Sequence, residues 1–269
     1  MSWQGPGQDA SEGTVQQMKH LFTPEGEQAL RAVMHLHPLL AFDFDGTLAP
    51  IVARPDEARV PESVSLGLAE LARDLPIAII TGRSVADVRP RLGFEPRYVI
   101  GNHGAEDPVE PRPARASPAL DALRQRIAAH ASDLVAAGVA VEDKQFSLAL
   151  HYRLAPDAGA ALVCIESLLQ GIEPALRRFG GKCVVNVLAA GLPDKGDALA
   201  SLLRRSHAAA AVFVGDDVND EAVFMRAEPP SLTIRIGDDD PLSQAMYFLD
   251  SEAQLALVLQ RMLALRASP

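Results

Sequence analysis

Five short runs along the chain are almost continuously apolar: 39–44, 77–81, 97–101, 212–216 and 232–236. Each gives way to turn residues and then to a stretch with helical spacing of apolar positions. A run that is apolar at successive positions, rather than at alternate ones, fits a strand covered on both faces. Strands of this kind alternating with helices predict a largely parallel sheet packed between two helical layers, an α/β, Rossmann-like core. A helix is expected ahead of the first run, from Pro24 to about His35, because Thr23 offers a capping hydroxyl and Pro24 suits the first helical position. Residues 1–20, rich in Gly, Gln and Ser, read as a flexible tail.

The middle of the chain has a different rhythm. Pro and Arg dominate 107–118, which reads as an exposed linker. A helix is expected over about 119–137, a hairpin over 139–153, a second helix over 156–179 and a further strand over 183–188. That order predicts a smaller α/β unit, residues 107–187, inserted into a core made of 21–106 and 188–269. Within the hairpin, Val139 and Val141 share one face, which leaves Glu142 and Lys144 on the other. On the returning strand Leu148, Leu150 and Tyr152 form the apolar face, with His151 and Arg153 opposite. The hairpin is therefore expected to bury one side and to turn Glu142, Lys144 and His151 toward a cleft. A carboxylate beside an ammonium suits a ligand whose groups both donate and accept hydrogen bonds.

Composition narrows the class of protein. With 48% hydrophobic and 22% charged residues among 269, the chain has enough apolar material for a sizeable core. A net charge of −10 argues against a general nucleic-acid partner. No apolar run reaches the ~18–20 residues of a membrane span, and the opening residues lack a basic stretch followed by an apolar one. Cys164 and Cys183 lie in apolar surroundings without metal-ligand spacing, so they are expected as buried thiols in a cytoplasmic protein.

The ends of the apolar runs carry residues poorly suited to packing: Asp43 and Asp45, Thr81, Asn102 and His103, Asp216 and Asp217. Ligands of open α/β sheets bind outside the carboxyl ends of the strands, so an active site is expected at that edge. Asp43 and Asp45, two apart, point to the same side of an extended backbone. One can attack phosphorus while the other protonates the leaving oxygen and later deprotonates a water. An Asp-Gly turn is the plainer alternative, yet it does not explain an acid inside an apolar run. Thr81 and the N–H groups after it suit a phosphate oxygen, and equally fit an ordinary strand end. Lys195, just ahead of a helix, either balances the charge of aspartate and phosphate or is simply solvated. Asp216, Asp217 and Asp220 repel one another unless a cation neutralises them. Hard oxygen ligands suit Mg²⁺, whereas a solvated acidic loop is the other reading. In chain order, Asp, Thr, Lys and an Asp cluster make one coherent phosphoryl-transfer set. Arg83, Asn102 and His103 lie at the same edge, within reach of a bound phosphate ester.

DFDGTL at 43–48, Thr81, Lys195 and GDDVND at 215–220 together resemble the four motifs of the haloacid dehalogenase (HAD) superfamily of phosphohydrolases. The resemblance implies that Asp43 is the nucleophile and Asp45 the general acid/base, with Thr81 and Lys195 positioning the phosphate. It implies Mg²⁺ held by Asp43, the backbone carbonyl of Asp45, and Asp216, with Asp217 and Asp220 supporting the lysine and the metal's waters. The inserted segment resembles that superfamily's α/β cap. GNHGAE at 101–106, VEDKQFSLALHYR at 141–153, TGR at 81–83 and GDDVNDE at 215–221 are similar to signatures of the trehalose-6-phosphate phosphatases. That branch implies hydrolysis of trehalose 6-phosphate and a functional pairing with the matching synthase. Asn219 departs from it, standing where that branch has Thr. Another sugar phosphate, such as sucrose 6-phosphate, is the enzymatic alternative. A non-catalytic sugar-phosphate sensor is the alternative of another class, although Asp43, Asp45 and the acidic loop are all present.

Overall fold

The computed structural model describes residues 18–110, 117–172 and 174–267. In chain order the core begins with β1 (Lys19–His20), α1 (Pro24–Met34), β2 (Leu39–Phe42), α2 (Glu62–Leu71), β3 (Ile77–Ile80), α3 (Val85–Val88) and β4 (Tyr98–Ile100). The second unit supplies α4 (Pro118–Ala129), α5 (Ala131–Ala136), β5 (Ala140–Asp143), β6 (Ser147–His151), α6 (Ala158–Leu168), β7 (Leu176–Gly181) and β8 (Val184–Ala189). The core then resumes with α7 (Lys195–Ser206), β9 (Ala211–Gly215), α8 (Glu221–Phe224), β10 (Leu232–Ile236), β11 (Tyr247–Leu249) and α9 (Leu255–Ala267).

The apolar runs become a seven-stranded sheet, parallel throughout, in the order β1-β11-β10-β9-β2-β3-β4. Both faces are buried, which is why the runs do not alternate. Leu40 and Phe42 of β2 pack with Leu30, Leu68 and Val258 of α1, α2 and α9. Their neighbours Leu39 and Ala41 pack the other way, with Leu199, Leu202 and Phe224 of α7 and α8. Each fully buried Leu or Phe contributes about 1.5–3 kcal/mol, so the sheet's centre is the most strongly held part of the fold. As expected, α1 starts at Thr23, whose hydroxyl accepts from the N–H of Gly26 at 3.2 Å.

The inserted unit is a four-stranded antiparallel sheet, β5-β6-β8-β7, packed through Leu123, Leu148, Leu150, Ile165 and Val187 against α4–α6. Several expectations need correction here. The helix expected over 119–137 breaks at His130, whose φ of −110° and ψ of 18° leave the helical region. The helix expected over 156–179 ends at Leu168; Gly171, at φ +73°, turns the chain, and 176–181 forms β7. Pairing with β8 overrides the local pattern there. Cys164 is half-buried and Cys183 exposed, the latter because it sits in the β7–β8 turn at φ +63°. Residues 1–17 of the expected tail, and 111–116 of the expected linker, lie outside the described residues. The tail's last two residues are strand, pairing with β11. Among the described residues no helix is long and apolar enough to cross a membrane.

The inserted sheet sits over the carboxyl ends of β2, β3 and β4. The Ser147 hydroxyl donates to Oδ1 of Asn102 at 2.8 Å, with both side chains buried. Lys144 Nζ donates to the Gly82 carbonyl at 3.1 Å, and Phe179 meets His103 edge-on, with ring centroids 4.8 Å apart. The two connections to the core lie side by side. Gly104 adopts φ +110°, and a Cβ there would stand 2.3 Å from the backbone oxygen of Asp194, so only glycine lets the crossings touch.

Removing the Ser147 hydroxyl leaves the Asn102 carbonyl buried without its donor. Ser147→Ala is expected to lose about 1–3 kcal/mol, read as a lower denaturant midpoint. A variant as stable as the parent would show that this seam is not closed in solution.

Candidate active site

Asp43 follows β2 directly. Its N–H donates to the Val214 carbonyl at 2.9 Å, so the ladder with β9 continues one residue past the strand and fixes the Asp43 backbone. The chain then turns at Gly46, at φ +83°, where an added Cβ would lie 2.0 Å from Oδ2 of Asp216. Glycine is thus what lets the first acidic loop close on the second. Lys195, the first residue of α7, is 1% exposed and reaches beneath both loops. Its Nζ lies 3.0 Å from Oδ1 of Asp43 and 2.7 Å from Oδ1 of Asp220. A reciprocal cap between Asp194 and Asp197 fixes the helix start, so the ammonium is aimed inward rather than solvated. The other oxygen of Asp220 accepts from the N–H groups of Asp216 (2.9 Å) and Asp217 (3.0 Å), which holds the acidic loop in shape.

Burial pushes the Asp43 carboxyl well above its ordinary value; Lys195 opposes this, while Asp220, Asp216 and Asp45 add to it. Asp216 is pushed up to about 6, by burial first and then by Asp220, against the pull of Lys182. Burial alone would lower Lys195, but Asp220 and Asp43 overcome it and keep the lysine above its usual value. Asp43, Asp216 and Asp220 offer oxygens that all lie within 4.8 Å of one another. A buried cluster of hard oxygen donors whose burial and crowding disfavour the charged forms fits a divalent cation. Oδ1 of Asn219 lines the same wall, buried and without a donor among the described residues. Asp220 is braced by Lys195 and by two main-chain N–H groups, whereas Asp216 accepts from side chains alone, the Thr47 hydroxyl at 3.4 Å and Lys182 at 2.6 Å.

Above this floor lies a cavity of about 430 Å³. Asp43, Asp45, Arg83, His103, Lys195, Asp216 and Asp217 line its core side, and Glu142, Lys144 and His151 face them from the inserted sheet. Glu142 sits 3.0 Å from Nε2 of His151 and 3.5 Å from Lys144. Burial would raise its carboxyl, but these two neighbours hold it below its ordinary value. His103 is buried, and neither ring nitrogen closes a hydrogen bond of good geometry among the described residues, although Asn186 faces it. Burial, Lys144 and Lys195 push its imidazole far below the usual range, so it is neutral.

Three of the expected residues lie behind the wall rather than in it. Thr81 is wholly buried, and its hydroxyl accepts from the Arg83 N–H at 3.2 Å. Asn102 spends its carbonyl on Ser147 and its amide on Glu106, while Asp220 underlies the acidic loop. Arg83 faces the cavity, but its guanidinium is bonded to Asp45, Asp87 and the Pro55 carbonyl. Asp217 accepts from Val218 N–H and from the Asn219 amide.

Lys182 and Asn186, which the sequence reading did not single out, also line the cavity. Lys182 Nζ stands 2.6 Å from Oδ2 of Asp216. The signal was present as GGKC at 180–183, but reading 156–179 as helix hid the hairpin that carries it.

Residues 41–252 match the model of the trehalose-phosphatase family. The trehalose-phosphate phosphatase of Mycobacterium avium (strain 104) is 34% identical over 259 residues, which cover 89% of this chain. This chain spans 66% of that relative's length. The protein of the same name from Mycobacterium tuberculosis (strain ATCC 25618 / H37Rv) is 33% identical over 255 residues, covering 89% of this chain and 65% of that one. In fold, the C-terminal domain of the C. albicans trehalose-6-phosphate phosphatase superposes with a TM-score of 0.75 at 20% identity, over 88% of this chain and 96% of that one. The family match runs from the strand that carries Asp43 to beyond the loop that carries Asp220, taking in the whole inserted sheet, and this chain belongs to the trehalose-phosphatase family.

Proposed function

We propose that this protein hydrolyses trehalose 6-phosphate to trehalose and inorganic phosphate through an aspartyl phosphate on Asp43, with Mg²⁺ as cofactor. The observation that carries the reading is the buried ammonium of Lys195 joining Asp43 to the acidic loop beneath a cavity that charged side chains line from both units. An Asp43 oxygen attacks phosphorus as the bond to the sugar oxygen breaks, and Asp45 gives that oxygen a proton. A water then attacks the phosphorus and loses its proton to Asp45. The bond to Asp43 breaks and phosphate leaves. Lys195 and the turn after Thr81 hold the phosphate oxygens. Asp43, Asp216 and the Asp45 carbonyl would hold Mg²⁺, backed by Asp217 and Asp220. When bound, the ion screens nucleophile from phosphate and offsets the charge that grows during transfer.

Glu142, Lys144 and His151 are assigned to the sugar, joined by Lys182 and Asn186 on the neighbouring strands and turn. His103, neutral and faced by Asn186, is the core's contribution, with Asn102 joining core to cap beside it. The seated cap keeps bulk water from the intermediate. The names of the relatives support trehalose 6-phosphate over sucrose 6-phosphate. Alignment of Asp43 with Lys195 supports an enzyme over a sensor. We place the reaction in the cytoplasm, supplied by a trehalose-6-phosphate synthase, consistent with two free cysteines.

With Mg²⁺ the protein is expected to release phosphate from trehalose 6-phosphate far faster than from glucose 6-phosphate or sucrose 6-phosphate. Chelation should stop it, and Asp43→Asn should lower turnover at least ~10³-fold. Faster turnover of the sucrose ester would keep the mechanism and discard the substrate; inactivity on every ester would favour the sensor. Glu142→Ala and Lys144→Ala should each raise KM for the sugar ester about tenfold, the worth of one charge-assisted bond. If neither changes KM or turnover, the cap assignment is wrong.

The carboxyls also predict a stability profile. Asp43 and Asp216 bind protons more readily folded than unfolded, so metal-free protein should lose stability as pH rises from about 4 through about 6, the value for Asp216. Saturating Mg²⁺ should flatten that slope, because the ion replaces the protons. An identical slope with and without Mg²⁺ would place the ion elsewhere.

A further inference from the structure

Asp45, the proposed proton donor, is not free. Its Oδ2 accepts from Nε of Arg83 and its Oδ1 from Nη2, both at 2.7 Å, the two parallel bonds of a guanidinium–carboxylate fork. Arg83 is held independently on its other sides. Nη1 donates to Oδ2 of Asp87, and Nη2 donates also to the Pro55 carbonyl, both at 2.7 Å. Arg91 grips the remaining oxygen of Asp87 through Nε and Nη2, and its Nη1 reaches the Asp56 carbonyl. The Arg83 guanidinium also lies over the Phe44 ring, 5.1 Å from its centroid. The Arg83 side chain is 9% exposed and that of Asp45 is 38% exposed. If the pair separates, the carboxylate is therefore the partner with room to move.

A carboxylate whose two oxygens both accept from one guanidinium cannot at the same time present a proton to a leaving oxygen. Arginine cannot supply that proton itself. Pro55 and Asp56 line the cavity, so the loop that carries them touches both the arginine pair and the space a sugar would fill. We propose that Arg83 is a positioning residue for Asp45, a fixed fork that holds the carboxylate against the Pro55–Asp56 loop and yields it to the leaving oxygen when the sugar phosphate occupies the cavity. This rests on the phosphatase reading above. Released from the fork, Asp45 takes up a proton from water; the electron pair of the breaking P–O bond then stays on the sugar oxygen, which takes that proton from Asp45. Asp45 is left as a carboxylate, which Arg83 receives again.

A residue that acts only through Asp45 matters only where the leaving oxygen needs a proton. The test is a double-mutant cycle of Arg83→Gln and Asp45→Asn, read as kcat/KM with Mg²⁺ on two esters. One is trehalose 6-phosphate, whose alkoxide needs protonation; the other is p-nitrophenyl phosphate, whose phenolate does not. Arg83→Gln is expected to lower kcat/KM about tenfold to a hundredfold on the sugar ester, and less than about threefold on the aryl ester. In the Asp45→Asn background the same change should cost less than about threefold on either ester. Equal losses on both esters would mean that Arg83 holds the phosphate. An undiminished loss on the sugar ester in the Asp45→Asn background would mean that it contacts the sugar. Either result overturns the proposal. Inhibition by orthovanadate, unchanged within about threefold, checks that the site is intact. Should Arg83→Gln not fold, Arg83→Lys, which keeps the charge but cannot form the fork, runs the same cycle. A parent protein inactive on both esters would remove the phosphatase reading itself, a result distinct from an additive cycle in an active enzyme.

Discussion

One buried ammonium makes the rest of the site possible. Asp43, on one loop, and Asp216 and Asp220, on another far away in sequence, converge within 4.8 Å and are almost wholly buried. Left alone they would drive the loops apart. Lys195 contacts two of the three, and Lys182 comes from the inserted sheet to the third. Breaking a buried pair by removing one partner costs several kcal/mol, because the surviving charge has nowhere to go. The acidic loop, the turn at Gly46 and the start of α7 are therefore one electrostatic unit.

That unit explains how the parallel sheet and the chemistry fit together. Strands buried on both faces have no polar surface of their own, so polar side chains gather where the strands stop. β2, β3, β4 and β9 all stop on the same side, and each delivers at least one polar residue there. The ladder past β2 fixes Asp43, and the reciprocal cap of α7 fixes Lys195. Scaffold precision thus comes from main-chain bonds, while the charges are balanced by side chains from both units.

The core was legible because its signal is local. Runs such as 39–44 and 212–216 are apolar at every position, and the acids that interrupt them have no packing role. Glu142, Lys144 and His151 face the cavity as alternation predicts, but Val141, expected on the covered face with Val139, is 39% exposed and lines the cavity too, because β5 is the edge strand of its sheet. Three things were not legible. β7 has no strong pattern of its own and exists through pairing with β8, so Lys182 and Asn186 went unnoticed. Thr81 and Asn102 end up behind the wall, which spacing along a strand does not reveal. The fork between Arg83 and Asp45 joins residues 38 apart, and only the third dimension brings them together.

The contact of Gly104 with Asp194 brings the two crossings between core and inserted unit side by side. The chain leaves the core after Gly101–Glu106 and returns just before Lys195, so whatever lies between adds nothing to the order of strands in the larger sheet. Under the proposed function, exchange of that inserted material would change Glu142, Lys144 and His151, while Asp43, Asp45 and Lys195 stay in the core and Lys182 reaches across to Asp216. The inserted unit is in this sense separate from the core in connectivity and joined to it in electrostatics.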